Sequence, residues 1–271
     1  MNFIHCIKFN SLVKINRFWP LSSLVLGLVV LIGLGWVMAN PFSALVVDPR
    51  KYAIEVHWKG RDGAVLGTLG RLREHVKVSN RGARERTLIM GMNAGMYLGT
   101  PQGHPMGLLV LDGHKGCCKN ANHGRLRLNY GNSRSANFYL QPNGVFYVTK
   151  TGKAGVCISR DYPKIKGVQW ASQSGPMLVL NGKINKHKAF SASSPSRYIR
   201  NGVGIRKDGH VVFAISNRPV NFHEFALYMQ QKGCQNALYF DGGVSAMYCP
   251  QLGRLGFGHN LGPMVGVIQQ P

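Results

Sequence analysis

Four times in this chain a short apolar run ends on a polar side chain beside glycine. The segments are Asn93-Ala94-Gly95, Gln173-Ser174-Gly175-Pro176, Arg200-Asn201-Gly202, and Asp241-Gly242-Gly243 with Ser245. A strand aims its last side chain, and glycine lets the backbone turn sharply and come close to a ligand. The last segment is the fullest case. Leu238-Tyr239-Phe240 reads as a short buried strand that ends on a carboxylate, two glycines and a hydroxyl. The competing reading is an ordinary glycine turn in which Asp is a turn residue.

The rest of the chain supports a strand-based fold. Residues 52–58 alternate in the strand manner and meet the turn signal Asp62-Gly63. Further strands are expected at 87–90, 108–111 and 264–268. Three hairpins are expected: 137–140 with 145–148 around Asn143-Gly144, one at Asn181-Gly182 after 176–180, and 203–206 with 211–215 around Lys207-Asp208-Gly209. Residues 66–78 read as a short helix or a loop, and the basic stretch 117–136 as a surface loop. Residues 221–232 form the best helix, with Asn221 as cap, Phe222, Phe225, Ala226 and Met229 as its apolar stripe, and Gly233 as its stop. The expected architecture is α+β: a single domain with a largely antiparallel or mixed sheet core and few helices.

A membrane helix is expected ahead of that domain. Residues 1–20 carry Lys8, Lys14 and Arg17 and no acid, and residues 21–39 hold no charge at all. Nineteen such residues are long enough to span a bilayer. They read as a signal anchor or a signal peptide, with the basic end in the cytoplasm and residues 40–271 in the periplasm or outside the cell. Five cysteines follow the span: Cys117, Cys118, Cys157, Cys234 and Cys249. The spacing gives poor support for a zinc site. A Cys234–Cys249 disulfide and a pair of buried thiols are both compatible with it.

Lys and Arg number 33 against ten Asp and Glu. Such a balance favours anionic partners. Nucleic acid rests on charge alone, with no recognition motif, and export argues against it. The ten acids can be taken singly. Asp62, Asp112 and Asp208 precede glycine in turns, Glu224 complements a helix N-terminus, and Asp241 alone ends a strand in a glycine-rich turn. His104 and Arg197 are further polar candidates for binding.

The motifs MNAGMY (92–97), MGLLV (106–110), QSGPMLV (173–179), SRYIRNGVGI (196–205) and YFDGGVSAMY (239–248) resemble the phosphodiester glycosidase family. The resemblance runs over residues 80–271 with the motifs in the family's order, and is nearest to small bacterial envelope members. It implies removal of a sugar from a glycosyl phosphodiester. It places Asn93, Gly175, Arg200, Asp241, Gly242, Gly243 and Ser245 at family motif positions, with Ala94 and Val244 standing where the family has glycine. Such chemistry passes through an oxocarbenium-like state, so Asp241 is expected as nucleophile or base. Arg200 is expected to stabilise the departing phosphate. Asn93, Ser174, Gly175, Gly242, Gly243, Ser245, His104 and Arg197 are expected to bind substrate. No cofactor is required, although Asp241 with backbone carbonyls offers the oxygen ligands that a divalent cation takes. The rival expectation is a non-catalytic protein of the same fold that binds anionic glycan.

Overall fold

Among the described residues the chain forms seventeen strands and two α-helices. The computed structural model describes residues 40–78, 86–98, 103–112, 114–115, 127–131 and 136–269. The expected membrane span at 21–39 and most of the expected loop at 117–136 lie outside these. Among the described residues no helix is long and apolar enough to cross a membrane.

In chain order the strands are β1 (Phe42–Val47), β2 (Ala53–His57), β3 (Thr87–Asn93), β4 (Tyr97–Leu98), β5 (His104–Pro105), β6 (Leu109–Leu111) and β7 (His114–Lys115). There follow β8 (Gly144–Thr149), β9 (Ala154–Ile158), β10 (Val168–Ser174), β11 (Met177–Leu180) and β12 (Lys183–Ile184). The last five are β13 (Asn201–Arg206), β14 (Val211–Ser216), β15 (Cys234–Tyr239), β16 (Met247–Tyr248) and β17 (Met264–Gln269). The helices are α1 (Leu69–Val78) and α2 (Phe222–Gln231).

Three sheets carry the fold, ordered β1-β14-β13-β15-β11-β12, β7-β6-β10-β8-β9 and β16-β3-β17-β2, with a small β4-β5 pair. Every strand pairing described is antiparallel. Within the six-stranded sheet β14 is buried on both faces, which explains its unbroken apolar run from Val211 to Ile215. In β14, Val211, Phe213 and Ile215 enter a core shared with the other two sheets. Val212 and Ala214 point the other way, into the layer under α2. The same alternation carries β15 outward: Leu238 and Phe240 face the shared core, and Ala237 and Tyr239 face the α2 layer.

Helix α2 forms as its sequence predicts. The Asn221 side chain accepts from the Glu224 amide, the Glu224 carboxylate accepts from the Asn221 amide, and Phe222, Phe225, Ala226 and Met229 are buried. Burying a Phe225 or a Met229 side chain contributes about 1.5–3 kcal/mol. Helix α1 lays Leu69, Leu72 and Val76 on the four-stranded sheet beside Leu88, Met264 and Ile268.

Two expected hairpins form. Val179 pairs with Ile184 across Asn181 and Gly182, which both take positive φ, and Ile205 pairs with Val211 across a turn in which Gly209 does. The third does not. Residues 137–139 form a 3-10 turn with Phe138 fully buried, and the Asn143 side chain donates to the carbonyls of Asn129 and Phe138. Burial of the aromatic side chain prevails over strand pairing there, and β8 pairs with β9 and β10. Cys234 and Cys249 are buried free thiols, so no disulfide brackets the Asp241 turn.

Candidate active site

The site is built where β13 begins and β15 ends. Gly202 lies opposite Tyr239 in that pairing, and the Phe240 amide donates to the Asn201 carbonyl at 3.1 Å. One residue on, the Asp241 amide donates to Asn201 Oδ1 at 3.1 Å. The Asn201 Nδ2 donates in turn to Asn93 Oδ1 at 2.6 Å and to the Asn93 carbonyl at 3.2 Å. Asn93 is the last residue of β3, in a different sheet, and its Oδ1 also accepts from the Ala246 amide at 2.9 Å. The Ser245 hydroxyl sits 2.7 Å from the Asp241 carbonyl and 2.9 Å from that of Ile199. The turn from Asp241 to Ala246 is therefore pinned at both ends by one buried pair of asparagines. Val244 and Ala246 pack against the apolar cluster under α1. Val244 has no positive φ, so its backbone accommodates a β-branched residue.

Asp241 has no ion pair among the described residues, although cations outnumber acids threefold in the chain. Burial pushes its carboxyl up to about 6, and the amides of Gly243, Gly242 and Val244 oppose that only in part. The Gly243 amide donates to Asp241 Oδ1 at 2.9 Å. The Tyr97 hydroxyl is raised by its own burial and then by the Asp241 charge. A carboxylate held this way ionises near neutrality, in a half-buried turn, with a phenol in range of its field.

Arg200 corrects an expectation. It is fully buried and its guanidinium is already engaged. Nε donates to the Val220 carbonyl at 2.9 Å, Nη2 to the Ser196 carbonyl at 2.9 Å, and Nη1 to the Tyr239 hydroxyl at 3.3 Å. The Phe222 ring lies under it, 3.7 Å from Cζ to the ring centroid. Burial lowers its pKa, opposed by Tyr239. In this geometry it offers no face to a phosphate. Its link to the site runs through the Tyr239 hydroxyl, which occupies the space that a Cβ on Gly242 would need.

The other expected residues divide. Asn93, Asp241, Gly242, Gly243 and Ser245 come together at the turn, and Ser174 joins from behind, its hydroxyl donating to the Phe240 carbonyl at 2.6 Å. Asn93 and Ser174 are buried and bonded internally, so they shape the turn and do not present themselves to a ligand. Gly175 is buried, with space for a Cβ taken by Asn143 and the Phe138 carbonyl. Arg197 pairs with Glu224 at 2.7 Å and keeps 44% of its side chain exposed. His104 lies opposite Leu98 and packs edge-on against the buried Trp58 ring. Three residues escaped the sequence reading: Asn201, Tyr239 and Tyr97. Asn201 carried a usable signal, since it occupies the polar position before glycine in the third of the four recurrent segments.

The site is thus a half-buried carboxylate, raised to about 6, held in a strand-end turn of a sheet-built domain. Residues 86–260 match the family model described as phosphodiester glycosidase. The chain is 34% identical over 207 residues to the uncharacterized protein YigE of Escherichia coli (strain K12), across 76% of this chain and 73% of that one. The fold is similar to that of the zebrafish N-acetylglucosamine-1-phosphodiester alpha-N-acetylglucosaminidase catalytic domain, auto-inhibited by its pro-peptide. The TM-score is 0.52, with 15% identity over 86% of this chain and 85% of that one. A hypothetical protein from Synechocystis gives a TM-score of 0.49 at 14% identity, over 84% and 59% of the two chains. This chain belongs to the phosphodiester glycosidase family.

Proposed function

We propose that the protein is a hydrolase that cleaves the sugar–phosphate bond of a glycosyl phosphodiester in envelope or exopolysaccharide material. Asp241 serves as nucleophile, or as base for an attacking water. The observation that carries this reading is the state of Asp241, fixed by Asn201, free of any ion pair among the described residues, and with a carboxyl pushed up to about 6. A carboxylate beside the anomeric carbon stabilises the oxocarbenium-like state. The phosphate departs as an anion, so a second carboxyl to protonate the leaving oxygen is not needed. Arg200 contributes through Tyr239, by setting the hydroxyl against which Gly242 rests. The reaction calls for no cofactor. The uncharged stretch 21–39, with its basic flank, supports placement of residues 40–271 outside the cytoplasm, tethered or secreted.

A second reading is a glycan-binding protein without turnover. It is favoured by the internal engagement of Asn93, Ser174 and Ser245, which leaves few side chains to grip a transition state. Three probes separate the readings: a glycosyl phosphodiester, the matching O-glycoside, and a phosphodiester without a sugar. The proposal expects free sugar and a phosphomonoester from the first alone. Binding with no product from any of the three supports the second reading. Cleavage of the sugar-free diester alone contradicts both.

A further inference from the structure

Two adjoining cavities lie at the far end of β13 from Asn201. One, of about 450 Å³, sits between residues 48–50, 151–154 and 205–209. The other, of about 260 Å³, sits between residues 49–55, 148–150 and 169–170. Pro49, Arg50 and Gly152 line both, so the two form one groove. Strand β13 begins at Asn201, which holds Asp241, and ends at Arg206 in the groove. Five residues at about 3.3 Å each separate them by about 17 Å. The groove is not an annex of the Asp241 turn.

Its charge is unbalanced in one direction. Asp48 pairs with Arg50 at 2.8 Å, Asp208 pairs with Arg206 at 3.1 Å, and Glu55 is held by Arg86. The carboxylates of the groove are thus already neutralised. Lys51, Lys150, Lys153 and Lys207 are exposed along it and form no salt bridge among the described residues. Its second cavity adds the half-buried rings of Tyr52 and Trp170 and the side chain of Gln169, whose Nε2 donates to Asp112 Oδ1 at 2.8 Å and whose Oε1 can accept. Lysines set along an elongated groove match the spaced charges of a polyanion. Aromatic faces take the apolar face of a sugar ring, and the neighbouring amide and hydroxyl groups take its hydroxyls.

We propose that this groove binds an anionic polysaccharide and holds a polymeric substrate away from the reacting carboxylate. The choice of glycan over other polyanions rests on the reading of Asp241 given above; the charge and the groove do not. The test uses the full chain, with dextran sulfate, neutral dextran and single-stranded DNA of similar length as probes. Two double variants are compared with the unmodified protein: Lys153→Glu with Lys207→Glu, and Lys51→Glu with Lys150→Glu. Dextran sulfate is expected to bind at least about 10-fold more tightly than neutral dextran, and to weaken as salt rises from about 0.05 to about 0.5 M. Each double variant is expected to lose about 10-fold in that affinity at an unchanged melting temperature. Hydrolysis of a small glycosyl phosphodiester is expected to stay as in the unmodified protein. Unchanged dextran sulfate affinity in both double variants overturns the proposal, as does tighter binding of DNA than of dextran sulfate. If the unmodified protein hydrolyses no phosphodiester, the reading of Asp241 fails while the binding comparison still decides the groove.

Discussion

Asn201 Nδ2 donates to Asn93 Oδ1 at 2.6 Å, and this one bond joins two sheets directly beneath the Asp241 turn. Asn201 Oδ1 then receives the Asp241 amide, and Asn93 Oδ1 receives that of Ala246. Both side chains are buried, so neither has water as a replacement partner. Asn201→Ala is expected to cost about 2–4 kcal/mol of stability, because it leaves buried amide and carbonyl groups unpaired. Denaturant unfolding checks this. Activity measured on the folded fraction is expected to fall as well, since the carboxylate loses its anchor.

Gly242 and Gly243 are adjacent but not equivalent. A Cβ on Gly242 would overlap the Tyr239 hydroxyl, whereas on Gly243 it would meet only Asp241 Oδ1, at 3.6 Å. Gly242→Ala must displace Tyr239 and, with it, Arg200. A displacement of about 1 Å at a reacting group costs on the order of 100-fold in rate. Gly242→Ala is therefore expected to lose about that much in kcat, and Gly243→Ala to stay within about 10-fold. Steady-state kinetics on the two variants give the comparison.

Asp241 should destabilise the fold at neutral pH. Its carboxyl is raised from 3.8 to about 6 in the folded protein, so between these values the folded state holds a proton that the unfolded chain has lost. The stability carried by that proton is complete below about pH 4 and is lost as the pH rises through about 6. At about 1.4 kcal/mol per pH unit between the two values, discounted for the part of the group that water reaches, Asp241→Asn is expected to stabilise by about 1–3 kcal/mol at pH 7. The gain should vanish near pH 4. Melting curves of the two proteins across that range test the sign.

The particular places where sequence and structure part company share a cause. The hairpins at Asn181-Gly182 and Lys207-Asp208-Gly209 could be read because the required positive φ is a local property of the residues present. At Asn143-Gly144 the same local signal fails, because the Asn143 side chain spends itself on Phe138 and Asn129 and Phe138 is drawn into the core. Within the site, Asp241 and its glycines could be found from their pattern. The burial of Arg200 could not, since Val220, Phe222 and Tyr239 enclose it from 20 to 39 residues away. Nor could the Asn93–Asn201 bond, which spans 108 residues. Local turn chemistry is written locally; partners across sheets are not.

The central claim is that Asp241 reacts. The most direct measurement is the hydrolysis of a glycosyl phosphodiester by the unmodified protein and by Asp241→Asn, with folding of both confirmed by their melting curves. The unmodified protein is expected to turn over with an ascending limb near pH 6, as the carboxyl pushed up to about 6 ionises. Asp241→Asn is expected to melt at or above the temperature of the unmodified protein and to lose at least about 1,000-fold in kcat. A folded Asp241→Asn protein that keeps activity within about 10-fold, with the same ascending limb, would contradict the account.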